Sequence, residues 1–475
     1  MPETAADRPK DHLQRRAPLV HPLLFFSALL LVVGAGLMAP HGNVFQVETL
    51  HRFWWGAGVM EAGFALSWKL QRLPLAWFWG VAIATRLLLL PMEPGDDVWR
   101  YIWEGQIQTL GFSPYHLPPT APELAPFRTD WWGQINHPDV TAIYPPITQL
   151  GFRAIASLAP NLYLFKLAFV AADVAVCGLL CRRFRPLSAT LYAWNPMIIY
   201  SFAGGAHYDS WFILPLVSAW FVLEPVLNLV QPPAQPPAQP PDQLSDRPSV
   251  LAVRDSRRWL WGALLLGVSV AVKWVSLPLL GFLVWRSLRQ RKLWQAVCTG
   301  LAGLMPMGLA ALPFCQSMTC PLVPTRSAFV SYGRSAEFIP HFLAKAWPET
   351  QRDNWVYLIL LVVVLIWLIF KTDRFQVFAA WFWFWLLLLT PIVHFWYFTW
   401  VVPFTLPIQN WGVRLISLSS FIYFILPSRL PDWRLTEAER LWLWLPFVLG
   451  WLWTTWRQSK NEALGPRFIG FSAKN

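Results

Sequence analysis

Runs of apolar residues long enough to cross a lipid bilayer recur from about residue 22 to residue 455. A hydrocarbon core about 30 Å thick calls for a helix of about 20 apolar residues, and only helices or closed barrels satisfy their own backbone hydrogen bonds inside it. The runs are continuous blocks without apolar–polar alternation, which selects helices over strands. Spans are expected near 22–39, 53–69, 74–91, 161–181, 187–203, 208–230, 293–313, 354–370, 375–391, 395–411, 413–427 and 438–455. Only 13% of the residues are charged, against about 25% in soluble domains. A soluble fold is therefore excluded, and an all-α polytopic membrane protein is expected. The stretch 259–286 is too long for one span and carries Lys273 near its middle, so it reads as a hairpin of two short helices.

The net charge of +12 sits mostly in short connections. Arg8, Lys10, Arg15 and Arg16 precede the first span, and Arg182, Arg183 and Arg185 fall between two others. Arg286, Arg289, Arg291 and Lys292 form a third basic group, and Lys371 with Arg374 a fourth. Threading these segments to the inside puts both termini in the cytoplasm and the loop after residue 91 outside. Between 92 and 155 that loop has seven acids against three arginines. The basic balance thus reports topology and contact with membrane lipids, and nucleic acid is not an expected partner.

The segments read in order as a tail (1–21), the first transmembrane helices (22–91), an external loop with surface helices (92–160) and further spans (161–230). A Pro/Gln-rich cytoplasmic linker (231–258), the hairpin with one more span (259–313) and a second external loop (314–353) follow. The C-terminal spans (354–455) and a cytoplasmic tail (456–475) complete the chain. Cys315 and Cys320 share the second external loop and could pair there.

The first loop is far longer than a connection needs, which is usual for functional segments. After Pro94-Gly95, residues 96–110 can form a helix on which Asp97, Tyr101 and Glu104 share a face, with Asp96 opposite Arg100 at i, i+4. Paired acids beside aromatics suit the binding and deprotonation of a sugar hydroxyl, although an N-cap and a favoured first-turn acid would look alike. His207 and Asp209 close another span on the same side, and His394 opens one. Ionisable groups at such depth are costly and tend to mark function. Lys273 and Lys166 are candidate phosphate ligands, and Asp173 a partner for one of them. Asp96, Glu104, His137, His207 and Asp209 could hold a divalent metal (Mg or Mn), but no ligand spacing forces one, and no cofactor is firmly implied.

Several loose motifs occur in an order that resembles a known family. They are Asp96-Asp97-Val98-Trp99-Arg100-Tyr101-Ile102-Trp103-Glu104-Gly105, Gly111-Phe112-Ser113-Pro114-Tyr115 and Ile135-Asn136-His137-Pro138 with Ile143-Tyr144-Pro145-Pro146. Asn195-Pro196, Ala203-Gly204, His207-x-Asp209, Val272-Lys273-Trp274 and His394-x-Trp396-Tyr397 follow. The chain resembles the GT-C polyprenyl-phosphate-sugar-dependent glycosyltransferases, among them bacterial polyprenol-phosphomannose-dependent mannosyltransferases and the catalytic mannosyltransferase of GPI-anchor synthesis. The resemblance implies a GT-C-like bundle of about 12 full spans plus the short-helix hairpin, in a bacterial plasma membrane. It implies hexose transfer, mannose in the relatives, from a polyprenyl-phosphate donor to a glycolipid or glycan acceptor. Asp97, or else Asp96, falls where the family places its base. Lys273, Arg334 and Arg100 would meet the donor phosphate. Tyr101, Trp103, Glu104, Tyr115, Asn136, His137, Tyr144, Asn195, His207, Asp209, His394, Trp396 and Tyr397 would line the substrates. Trp99, Glu104, Ser201 and Phe395 depart from residues frequent in relatives. A lipid-linked-sugar flippase or a glycan ligase are the rival readings.

Overall fold

A computed structural model describes residues 22–228, 249–315 and 332–463. The tails, most of the Pro/Gln-rich linker, and Cys320 with the rest of 316–331 lie outside the described residues, as does the expected Cys315–Cys320 pairing. Among the described residues the chain is helical, and its extended contacts are isolated bridges from Ser335 and Ala336 to Ile392. The helices are α1 (Pro22–Met38), α2 (Val47–Ser67), α3 (Leu75–Leu89), α4 (Asp97–Thr109), α5 (Pro146–Leu158), α6 (Leu162–Ala193), α7 (Ser210–Asn228) and α8 (Ser249–Val272). They continue as α9 (Leu277–Arg289), α10 (Leu293–Ala311), α11 (Ile339–Ala346), α12 (Trp355–Lys371), α13 (Phe375–Leu389), α14 (Trp411–Ser419) and α15 (Glu437–Ala463), with shorter helical turns between.

Four helical stretches are long and apolar enough to cross a membrane: Leu162–Ala193, Ser210–Leu227, Leu293–Phe314 and Trp411–Arg429. Five shorter apolar helices, among them α1, α3, α12 and α13, accompany them. The expected spans at 161–181 and 187–203 are differently divided. α6 is two helical pieces joined across a kink at Arg185, whose φ of 69° and ψ of 153° precede Pro186. The proline ring excludes the helical conformation from the residue before it, so the basic triplet marks a bend and not a loop. The break at Lys273 falls where expected: Val272 ends α8, Lys273 is extended, and α9 begins four residues on.

Helix pairs without a hydrophobic drive between them must pack closely, and small residues permit it. A Cβ on Gly267 of α8 would stand 2.3 Å from the Gly303 carbonyl oxygen of α10. In α4, a Cβ on Gly105 would stand 2.5 Å from the carbonyl oxygen of Phe152 in α5. α4 therefore lies against α5, with Val98, Tyr101, Ile102, Trp103 and Ile107 buried. It is less a surface helix than one wall of the bundle's cap.

Three buried charged residues, Arg86, Asp173 and Lys166, are structural. Arg86 of α3 donates to Asp173 of α6 at 2.5 Å and to the Ala193 carbonyl at 2.8 Å, so Asp173 pairs with an arginine and not with a lysine as expected. Lys166 donates to the carbonyls of Leu90 and Met92, at 3.0 and 2.6 Å, and so closes the end of α3 rather than facing a lipid phosphate.

Candidate functional site

Three segments bring the site together: the start of α4, the turn from 200 to 209, and the entry at 394–400. Pro94-Gly95 breaks the chain so that α4 starts at Asp97, leaving Asp96 exposed at the cap position with no capping bond from its side chain. Residues 200–204 form a π-helical turn, and Ala206 follows with φ of 62°. A π-turn and a non-glycine residue at positive φ both cost energy and concentrate at functional sites. Their effect here is to turn the chain back on itself, so that the His207 amide donates to the Ser201 carbonyl at 2.9 Å. His207 and Asp209 thereby reach the level of Asp97.

Asp97 Oδ1 accepts from the Asn136 amide at 2.6 Å, and its Oδ2 from the Tyr101 hydroxyl at 3.3 Å. His207 Nδ1 stands 3.6 Å from Oδ2 and makes no hydrogen bond of its own. Burial, and then the charge of Asp96, push the Asp97 carboxyl from 3.8 up to about 7, against the pull of Asn136, Lys273 and Tyr101. Burial, helped by Lys273, holds His207 well below its usual range, so it is a neutral imidazole. It stacks on Trp396 at 3.4 Å, which in turn stacks on His394 at 4.7 Å. His394 Nδ1 is fixed by the Tyr423 hydroxyl at 2.7 Å.

Lys273 Nζ pairs with Asp209 Oδ1 at 2.6 Å, and the Trp400 indole donates to the same oxygen at 2.7 Å. Trp400, Tyr208 and Tyr397 surround the ammonium at 4.7, 5.1 and 5.1 Å from their ring centres. Asp209 Oδ2 is buried with no partner. Tyr101, Tyr144 and Tyr208 pack edge-to-face behind this group, and Tyr115 donates to the Tyr144 carbonyl at 2.6 Å. The lip is open: Asp96 and His137 are exposed, and Asn136, Trp396, Tyr397 and Lys273 are half-buried.

Other candidates fall elsewhere. Arg100 does not pair with Asp96. Because the helix starts at 97, its reach runs forward to Glu104 at 2.7 Å, and its remaining donors meet the carbonyls of His137 (2.9 Å) and Val140 (2.5 Å). Glu104 Oε2 accepts from Gln149 at 2.5 Å, so both residues are satisfied inside the protein. Trp103 lies in a separate small core with Ile107, Ala121, Leu124 and Ile135, away from the carboxylates. Asn195 is buried as a helix cap, accepting from the Met197 amide and donating to Ser417 at 2.7 Å. Arg334 is held by the Thr350 carbonyl and the face of Tyr357, remote in its contacts from Lys273. Among the described residues no three His, Cys, Asp or Glu side chains converge as a metal site. Sequence reasoning missed Tyr208, Trp400 and Tyr423. Tyr208 lies between two quoted residues and Trp400 three past Tyr397, but nothing local marks Tyr423, 29 residues from its partner.

The arrangement can take a proton from a hydroxyl at Asp97, donate to and accept from a polyol at its unmet buried atoms, and offer one cation. Comparison with protein-family models, curated proteins and solved structures finds no match for the chain.

Proposed function

We propose that this chain is an integral-membrane glycosyltransferase that moves a hexose, mannose by resemblance, from a polyprenyl-phosphate donor to a glycolipid or glycan acceptor on the outer face of a bacterial inner membrane. This reading takes about 12 spans in all, the four long apolar stretches and the shorter apolar helices among them, with both termini cytoplasmic. A donor carried on a lipid fits carboxylates facing outward, since nucleotide sugars stay in the cytoplasm.

The observation that carries the reading is the pairing of a half-buried carboxylate, titrating near 7, with two buried polar atoms, His207 Nδ1 and Asp209 Oδ2, that lack partners. Buried polar groups are almost always satisfied, so unmet ones behind the half-buried Asp97 and Lys273 favour a ligand rich in hydroxyls. The acceptor oxygen attacks the anomeric carbon while its proton passes to Asp97. The bond from that carbon to the phosphate oxygen breaks, polyprenyl phosphate leaves, and the single displacement inverts the centre. A base with a pKa near the working pH is the efficient one. Lys273, with one N–H on Asp209, turns its remaining N–H groups to the charge on the departing phosphate. Arg100 has no part in this version because its donors are engaged within the cap, and Arg334 none because its contacts are with Thr350 and Tyr357 and not with the Lys273 group. Trp396 and Tyr397, half-buried at the lip, supply exposed ring edges beside the sugars.

The test is purified protein in liposomes with radiolabelled polyprenyl-phosphate-mannose and candidate glycolipid acceptors. Labelled acceptor supports the transferase. Movement of the donor lipid across the bilayer without product would make the protein a flippase instead.

A further inference from the structure

Helices α8 and α10 meet along a seam that carries a surface groove of 840 Å³. Its floor is closed at two points. The buried Trp259 indole donates to the Thr299 hydroxyl at 2.5 Å, and Gly267 lies against the Gly303 carbonyl. These contacts follow the same order along both helices, so the two run parallel. Each wall is a stripe at i, i+4 and i+7: Arg257, Trp261 and Leu264 on α8, and Cys298, Ala302 and Met305 on α10. α10 belongs to the stretch Leu293–Phe314, which is long and apolar enough to cross a membrane. Trp261 and Met305 stand exposed on the rims.

The groove is apolar along its length and basic at one end. Arg257 closes the α8 stripe there, and Lys292, which precedes the first turn of α10, lies at the same end, six residues or about 9 Å before Cys298. Arg291 precedes it. All three side chains are exposed, and among the described residues they have no hydrogen bond or ion pair. Their neighbours in sequence differ. Arg286 donates to the Leu227 carbonyl at 2.6 Å, and Arg289 pairs with Asp373 at 2.9 Å. The protein thus uses two cations of this basic group and leaves those beside the seam unmet.

We propose that the α8–α10 seam is a binding site for an anionic phospholipid, its headgroup at Arg257 and Lys292 and one acyl chain along the apolar track. Basic residues beside a membrane surface attract anionic lipid, and the track fits the chain that such a head carries. An apolar helix in the groove would leave the cations unmet, and a free phosphate would leave the track bare. A polyprenyl phosphate serving the candidate site has its head at the wrong end. Lys273 lies 16 residues beyond Arg257, about 24 Å along α8, so a head at Arg257 belongs to a lipid at the opposite end of that helix.

The experiment takes the full chain in detergent micelles, adds phosphatidylglycerol or phosphatidylcholine with the same acyl chains, and counts bound lipid by native mass spectrometry. One phosphatidylglycerol is expected to bind about tenfold tighter than phosphatidylcholine. R257Q/K292Q alters two exposed side chains without partners, so it should fold, and it is expected to erase the preference. A302W, which fills the seam and keeps the cations, is expected to weaken phosphatidylglycerol binding. Phosphatidylglycerol with a photo-crosslinker in one chain is expected to label the peptide that carries Leu301 and Met305. Equal binding of the two lipids would overturn the proposal, as would a preference that survives R257Q/K292Q or cross-links confined to other helices. Displacement by inorganic phosphate at the lipid's own concentration would also overturn it, since a head-only site has no use for the seam. So would a photo-crosslinking residue at Leu301 that captures a polypeptide and no lipid in membranes. None of these readouts involves sugar transfer, so they stand or fall apart from the proposed activity.

Discussion

Two clusters of charge share helix α4, and they differ in how completely they are satisfied. Around Arg100 and Glu104 each guanidinium nitrogen donates and both carboxylate oxygens accept, through Gln149 and the carbonyls of 137 and 140. One turn earlier, Asp97 keeps one firm hydrogen bond and one long one, beside an imidazole nitrogen with none. The first cluster holds the cap of the bundle together. The second has capacity left for something that is not protein. Saturation separates scaffold from site where residue type alone does not, since both clusters have acids, a cation and tyrosines nearby.

The sharpest way to break this contrast is to neutralise each carboxylate in turn. Asp97→Asn is expected to lower transfer by about 10²–10⁴-fold with the protein still monodisperse, because the base is gone. Initial rates with labelled donor measure it, and near-normal turnover would remove Asp97 from its role. Arg100→Ala should act on folding instead. It strands Glu104 as a buried charge, a loss of about 3–5 kcal/mol that thermal unfolding in detergent would register. The surviving folded fraction should keep its donor KM, and a raised KM with unchanged stability would restore Arg100 as a phosphate ligand.

The pH profile sharpens the same contrast. A base must be ionised to act, and Asp97 titrates near 7. Transfer should therefore level off above about pH 7 and fall about tenfold per unit below it. The sign for stability is opposite. A carboxyl raised from 3.8 favours the fold most when protonated, so its contribution is lost as pH rises towards 7. A rate limb near pH 4 would mean that the carboxylate is solvated and ordinary. The smallest effect is expected from Tyr101→Phe. Its hydroxyl holds the Asp97 pKa down, so removing it should move the limb upward by a fraction of a unit, with a change in rate of only a few-fold.

Much of this fold could be read from residue order. Pro94-Gly95 and the amphipathic spacing after it announced α4, and Lys273 inside an apolar stretch announced the break between α8 and α9. What was hidden needed distance. Spacing alone offered Arg100 two acids at i ± 4, Asp96 and Glu104, and only the start of the helix decided between them. Trp103 carries the same aromatic character as Tyr101 two residues earlier, yet it faces the other side of α4 and fills a separate core. Asn195 and Lys166 look functional as polar residues at span ends, but Lys166 is used up by two carbonyls and Asn195 by the Met197 amide and the Ser417 hydroxyl. The basic triplet at 182–185 read as a loop between two spans, and only the structure shows that the two helices there meet at a kink before Pro186.

The close approach of Gly105 to Phe152 has a reach beyond packing. Eight residues, about 12 Å of rigid helix, link that contact to the Asp97 carboxylate. The clearance there is narrower than a methyl group, so α4 behaves as a lever whose fulcrum sits at its rear. Reactivity at the mouth can thus be tuned by residues that never meet a sugar, and drift in the α5 backbone would be felt as a misaimed proton acceptor.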